Sequence, residues 1–307
     1  MNSSIIDMLA FMITNVLICI FQTTTILLGT FVIYLFSRNI VLRNSGGLQL
    51  IFLLTICDVF AAITTIPYIV YLIVGWKPRE TYYDPKTIVY ISLTFVAQLK
   101  IHLTFTLSIA IDRSLAVYQP ALYRRKNSKV YAMGTLCVAI LFALFDISLE
   151  LLIADYDEIP NCAAIGCFLD SPFLEYWGIS NVVLGSCKLL LTLSVLVKLH
   201  RMHKSQSNVA WVTTGVSEKR FHQANKLSLM VMVVSACFIT IPSISVGISE
   251  IFGFSLFSSV GPFYLLFLLI AATFNISIYL SLHKDVRRCM TAVWTHQETV
   301  SALTSTS

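Results

Sequence analysis

Charge is scarce in this sequence. Asp, Glu, Lys and Arg make up 12% of its 307 residues, about half the share of a soluble domain. That excludes a disordered chain, a nucleic-acid module and an ordinary soluble enzyme. The signatures of nucleotide, metal and hydrolytic chemistry are also missing: no G-x-x-x-x-G-K, no H-E-x-x-H, no G-x-S-x-G and no C-x-x-C. The histidines are scattered, and the pair His200 and His203 lies in a basic loop that would repel a cation. No metal, no cofactor and no nucleic acid is expected. Without a paired nucleophile and base, the chain is not expected to be an enzyme. There is no internal repeat and no low-complexity tract.

Apolar residues are plentiful, at 57%, and mean hydropathy is +0.79. Seven stretches are long enough to cross a bilayer, which takes about 20 apolar residues each. They lie near 9–36, 48–74, 88–111, 130–153, 177–199, 227–249 and 261–282. All are too long for buried strands, and helices satisfy their own backbone hydrogen bonds in lipid. The expected fold is an all-α membrane protein, a seven-transmembrane helix bundle in lipid. Residues 1–290 form its single domain, and 291–307 a short cytoplasmic tail. Met1–Asp7 carries no Lys or Arg, so the first run reads as a retained signal anchor rather than a cleaved signal peptide.

Basic residues set the direction of threading. Arg38 and Arg43 follow the first span, and Arg113, Arg124, Arg125, Lys126 and Lys129 follow the third. Six more fall between Lys198 and Lys226, and Lys284, Arg287 and Arg288 follow the seventh. The other side has Lys77, Arg79 and Lys86, and its fourth-to-fifth loop carries Asp155, Asp157, Glu158, Asp170 and Glu175 without a base. The amino terminus is therefore expected outside and the carboxyl terminus inside, which requires an odd number of spans. Trp76, Trp177 and Trp294 read as interface anchors.

The cysteines agree with this map. Cys19, Cys57, Cys137, Cys187 and Cys237 fall within spans, as small packing groups. Cys162 and Cys167 lie in the outer loop, on the oxidising side. A bridge between them and two free thiols are both open. Cys289 follows Arg287–Arg288, a palmitoylation context that an unmodified interfacial thiol fits equally. Asn2–Ser3–Ser4 is an outward glycosylation sequon.

The strongest local pattern ends the third span: Asp112–Arg113–Ser114–Leu115–Ala116, then Pro120 and Tyr123. An acid–base pair here makes a charge-assisted contact, and the long arginine stem reaches toward the cytoplasmic cavity or snorkels to the interface. From this point the chain resembles the rhodopsin-like seven-helix receptors, whose third helix ends in Asp-Arg-Tyr. Leu54–Thr55–Ile56–Cys57–Asp58 matches the Leu-x-x-x-Asp of their second helix. Asn275–Ile276–Ser277–Ile278–Tyr279 matches Asn-Pro-x-x-Tyr without the proline, and Pro242 sits at the sixth-helix kink. The usual third-helix Cys and fourth-helix Trp are missing, and Thr240 stands where the family has its toggle Trp. This pattern resembles the divergent nematode serpentine chemoreceptors of class BC.

The resemblance implies a G-protein-coupled chemosensory receptor in the plasma membrane, specifically in the sensory cilium of a chemosensory neuron. Its partners would be a small external molecule and a heterotrimeric G protein, with a second receptor as a candidate. The ligand would enter between the third, fifth, sixth and seventh helices. Asp112, Arg113, Pro120, Tyr123, Asn275 and Tyr279 would serve coupling and switching, with Pro242 as hinge. The alternative is a ligand-gated ion channel or transporter of seven-helix type. An insect-type receptor channel would have its amino terminus inside.

Helix rise places the buried polar groups. Asp58, His102 and Asn275 share one layer, about 12–16 Å above the inner ends, which suggests a hydrogen-bonded switch or a static clamp. Lys100 and Lys188 sit at similar depth or farther out. Asp146 and Glu150, four residues apart, share a face of the fourth helix. Either the lysines pair with these acids, or one cation remains for an anionic ligand; Lys100, Lys188, Asp146, Glu150 and Thr240 are the pocket candidates.

Overall fold

The computed structural model describes residues 2–43, 48–77, 83–154, 165–206, 227–251, 262–282 and 286–291. Among these it contains helices and turns and no strand. Seven helices are long and apolar enough to span a membrane: Phe11–Arg38, Gln49–Gly75, Pro85–Tyr118, Ser128–Ile153, Pro172–Arg201, Leu227–Ser245 and Phe263–Leu282. Each coincides with an expected span.

The third helix starts early because Asp84 caps it. The Asp84 side chain accepts the Thr87 amide at 3.0 Å, and Pro85 occupies the first turn, where its missing N–H costs nothing. These bonds from Thr87 hold the Asp84 carboxyl below the usual carboxylate range. The helix runs on to Tyr118 and stops at Gln119, which adopts φ −134° and ψ 65°. Gln119 precedes Pro120, and a residue before proline is pushed out of the helical region. Asp112 and Arg113 thus lie inside the last turns rather than at the helix end.

The second span is broken at Thr65, with helix over Gln49–Thr64 and again over Ile66–Gly75. Pro67, in the first turn of the second piece, cannot donate back to the preceding turn. Gln22 of the first helix covers the break, donating to the Ala62 carbonyl at 2.7 Å and to the Thr65 hydroxyl at 3.2 Å. The sixth span holds a π turn over Ala236–Thr240, directly before Pro242. The Ile241 amide reaches the Ala236 carbonyl there. The expected proline kink is therefore a widened turn.

The third helix is the most buried span, and the fourth and fifth are the least. Leu141, Leu144, Phe145, Leu190 and Leu193 of the latter lie on the outer surface of the bundle. So do Cys19, Cys137, Cys187 and Cys237. They are not core packing groups, because their helix faces point outward; Cys57 alone of the five is half-buried. Trp177 is likewise no interface anchor. It is 2% exposed and packs between Phe173 and Tyr264, with ring centroids at 6.5 and 5.7 Å. Trp76 stacks on Phe11 at 5.4 Å, and Trp294 lies outside the described residues.

The interior divides into two apolar clusters. One holds Ile18, Ala62, Leu99, Phe173, Trp177, Ile239 and Leu268. The other holds Val32, Leu54, Phe105, Met232, Ile276 and Tyr279. Between them, at intermediate positions on their helices, lie the buried polar residues Thr25, Asp58, His102, Lys188, Ser235 and Asn275. The polar waist is where function has material to work with.

Candidate functional site

At one end of the bundle, the last turns of the third helix and the short helix Pro120–Arg125 face each other. The turn at Gln119–Pro120 brings Tyr123 back toward Arg113, whose Nη2 lies 3.4 Å from the Tyr123 hydroxyl. The Arg113 guanidinium sits 5.9 Å from the Tyr123 ring centroid. Arg113 also donates to the Asp112 carboxylate. Lys126 binds the same carboxylate and lies 3.7 Å from the centroid of the Tyr131 ring, a cation–π distance. Tyr131 in turn donates to the Ser108 carbonyl at 2.9 Å. One acid therefore holds two cations inside an aromatic cradle. Lys126 and Tyr131 were not singled out as site residues from the sequence. Their signal was the cationic run after the Pro-x-x-Tyr block, which reads equally well as threading charge.

In the waist, Gln98 donates to Asp58 Oδ1 at 2.6 Å, and His102 Nδ1 stands 3.4 Å from the same oxygen. Gln98 lies one turn before His102 on the same helix face. Asp58 and His102 meet, but Asn275 does not join them: it is 3% exposed and its side chain makes no hydrogen bond among the described residues. The seventh helix instead meets the first through Thr25 and Thr273 at 2.8 Å. Tyr279 packs against Phe36, centroids 6.0 Å apart. A cavity opens beside Asp58, lined by residues of the second, third and seventh helices.

The charged candidates sort differently from one another. Lys100 is paired: its Nζ lies 3.2 Å from Asp146, and it donates to Ser180 at 2.7 Å and Asn181 at 3.0 Å. Tyr176 donates to the other Asp146 oxygen at 2.9 Å. Glu150, one turn on, is 1% exposed with neither oxygen hydrogen-bonded among the described residues. Lys188 is fully buried and donates to the Ser235 hydroxyl at 2.9 Å. Its only partner among the described residues is thus a neutral group beside the π turn. Thr240 faces the fifth helix, where a Cβ on Gly185 would come within 2.6 Å of its methyl. Its hydroxyl donates to the Ser235 carbonyl at 3.3 Å, so contact between helices occupies it. At Gly185 and Thr240 the fifth and sixth helices are in close contact.

Cys289 lies on the short helix over 286–291, and its sulfur receives the Asn39 amide at 2.7 Å. Cys162 and the side chains of Cys167 and Asn2 lie outside the described residues.

Two comparisons bear on these features. No curated protein matches the chain. A family model, described as serpentine type 7TM GPCR chemoreceptor Srbc, matches residues 7–283 and so takes in all seven helices, Asp58, Asp112–Arg113 and Asn275. With the match covering nearly the whole chain, this protein belongs to the Srbc family of serpentine seven-transmembrane chemoreceptors.

Proposed function

We propose that the protein is a chemosensory receptor that binds a small external molecule within its helix bundle and activates a heterotrimeric G protein. The observation that carries this is the Asp112–Arg113–Lys126 cluster with Tyr123. Arg113 is only 3% exposed, yet its guanidinium is held by an ion pair and an aromatic hydroxyl rather than locked in the apolar core. Such a cluster is closed at rest. When opened, it offers a planar donor fork to the carbonyls of an incoming helix terminus.

The lysine and arginine distribution supports an orientation in which the bundle end bearing this cluster faces the cytosol. The protein resides in the plasma membrane of a sensory neuron, at its cilium. A ligand that binds the open arrangement more tightly than the closed one shifts the population toward it. The sixth helix is the mobile element, with the π turn and Pro242 as its hinge. The Asp58–Gln98–His102 set ties the second helix to the third and resists that movement. Asn275, buried without a hydrogen-bond partner among the described residues, takes one when the seventh helix shifts. Cys289 is a site for palmitoylation beside Arg287 and Arg288. Cys162 with Cys167 would staple the outer loop, and Asn2 would carry a glycan. A second receptor could pair with this one along the outward faces of the fourth and fifth helices.

Replacing Arg113 by Ala tests the proposal. G-protein activation, read as nucleotide exchange on a co-expressed G protein, should be lost while ligand binding persists. Unchanged exchange with Arg113 removed would overturn it.

A further inference from the structure

We propose that the protein binds an anionic membrane lipid whose headgroup carries more than one phosphate, at the seam between the end of the first helix and the helix over 286–291. The proposal goes beyond the receptor reading above and depends on neither its ligand nor its coupling. Asn39, just past the first helix, donates to the Cys289 sulfur at 2.7 Å and so pins together segments 250 residues apart in the chain. Leu42 and Val286, 1% and 0% exposed, anchor both segments in the inner apolar cluster. Their basic neighbours turn the other way: Arg38, Arg43, Arg287 and Arg288 are all exposed. Arg38 and Arg288 adjoin the two contact residues in sequence, and Arg287 is one residue farther. Arg43 lies one helical turn beyond Asn39, its amide bonded to the Asn39 carbonyl at 3.2 Å. Four guanidinium groups are thus rooted around a single contact.

No acid answers them. Residues 34–43 and 286–291 include no Asp or Glu, and Asp285 lies outside the described residues. None of the four arginines enters an ion pair among the described residues. Arg38 meets only an aromatic face, 5.7 Å from the Tyr34 ring centroid. Arg113 and Lys126, by contrast, share Asp112. Threading explains cations at this end of the bundle, but it does not require them to be gathered. Like charges brought together repel, and an anion between them relieves the repulsion. All four are arginines, whose planar fork pairs two N–H groups with two phosphate oxygens. Four forks call for a headgroup with several phosphates rather than the single net charge of phosphatidylserine.

Ile40 commits the surface to a lipid rather than a free phosphate. It is 63% exposed, on the short helix Ile40–Arg43 that follows Arg38. A headgroup held by the arginines therefore brings an apolar side chain to its acyl chains. Basic clusters just inside a membrane span match the recognition of phosphorylated lipid headgroups. The bound lipid bridges the first helix and the 286–291 helix, and so holds the latter against the bundle.

The test uses the full-length receptor purified in detergent, with neither chemical ligand nor G protein present. The readout is equilibrium binding of fluorescent dioctanoyl phosphatidylinositol bisphosphate. Binding should saturate, and dioctanoyl phosphatidylserine or soluble inositol trisphosphate should compete at least about tenfold less well. Two double variants, Arg38→Gln with Arg43→Gln and Arg287→Gln with Arg288→Gln, should each weaken binding about thirtyfold, the scale of two basic residues beside an anionic headgroup. Arg124→Gln with Arg125→Gln removes the same charge from exposed positions elsewhere at this end and should leave binding within about twofold. Ile40→Ser should weaken binding of the lipid but not of inositol trisphosphate. All the replaced side chains are exposed, so the thermal midpoint without lipid should stay in place, and lost binding is then not lost fold. Phosphatidylserine or inositol trisphosphate binding as tightly as the lipid would overturn the proposal. So would equal weakening by the Arg124 and Arg125 pair, seam variants that bind like wild type, or lipid binding indifferent to Ile40.

Discussion

Lys100 and Asp146 show what a charge does inside an apolar bundle. Each is nearly fully buried, and each has its other hydrogen-bonding positions filled by Ser180, Asn181 or Tyr176. Removing one member leaves the other buried and unpaired, at a cost of about 3–5 kcal/mol. Lys100→Met alone and Asp146→Leu alone should therefore sharply lower the yield and thermal midpoint of purified receptor. The double variant should recover most of that loss, because a matched apolar pair replaces a matched ionic one. A double variant as unstable as the worse single would show that the pair is not coupled. The Asp112 cluster behaves differently, since Arg113 and Lys126 share one carboxylate and repel each other. Lys126→Ala should leave Asp112 wholly to Arg113 and lower ligand-independent signalling, and Asp112→Asn should release both cations and raise it. Nucleotide exchange without ligand reads both signs. At this scale the sequence announced the residue types but not their pairing. Lys100 with Asp146 was one of several pairings that helix rise allowed, and rotation about each helix axis, which chooses among them, is set by packing. Asn275 failed to join Asp58 for that reason: equal depth does not mean facing sides.

Elements were legible where composition alone decides, and less so where one residue alters a hydrogen-bond ladder. All seven spans followed from length and hydropathy, because a bilayer imposes both. The break at Thr65 was not read, although Pro67 was visible. A proline in a span signals a lost bond but not where the ladder opens, and here Gln22, on another helix, donates to the Ala62 carbonyl and the Thr65 hydroxyl at the break. Gln22→Leu should cost about 1 kcal/mol, the scale of a side-chain hydrogen bond between membrane helices, seen as a modest fall in thermal midpoint. No change would mean that the break needs no cover. The π turn was equally hidden, since i→i+5 bonding has no residue pattern of its own; Pro242 marked only its place. Outside the bilayer the Asp84 cap makes a claim about pH. Its carboxyl is lowered by the Thr87 hydroxyl and amide, so its contribution is present above the unfolded carboxylate pKa and lost as pH falls through the lower folded value. Asp84→Ala should destabilise the receptor near neutral pH by about 1 kcal/mol. The gap between variant and wild type should close in strong acid.

The whole molecule is an apolar bundle with a polar waist, and its orientation decides which end can meet a cytosolic partner. Alternate helix ends carry the cations: Arg38 and Arg43, the run from Arg113 to Lys129, and Arg287 with Arg288 all lie on the Asp112 side of the bundle. The opposite side has Lys77 and Lys86, with Asp84, Asp170 and Glu175. Cations near span ends resist translocation, and acids contribute little, so this imbalance should dominate insertion. A tag on the carboxyl terminus should bind antibody only after the cells are permeabilised, and one on the amino terminus should bind on intact cells. The same logic predicts how the topology could be weakened. Replacing Arg124, Arg125, Lys126 and Lys129 together by Gln removes much of the central cationic block while leaving every span intact, and should yield a mixed population labelled from both sides. A wild-type tail accessible on intact cells would put Arg113 and Tyr123 outside the cell, beyond reach of any G protein. The fold would stand in that case, because burial and helix length do not depend on which way the bundle is threaded. The coupling mechanism would not, because its chemistry requires Arg113 to open toward the cytosol.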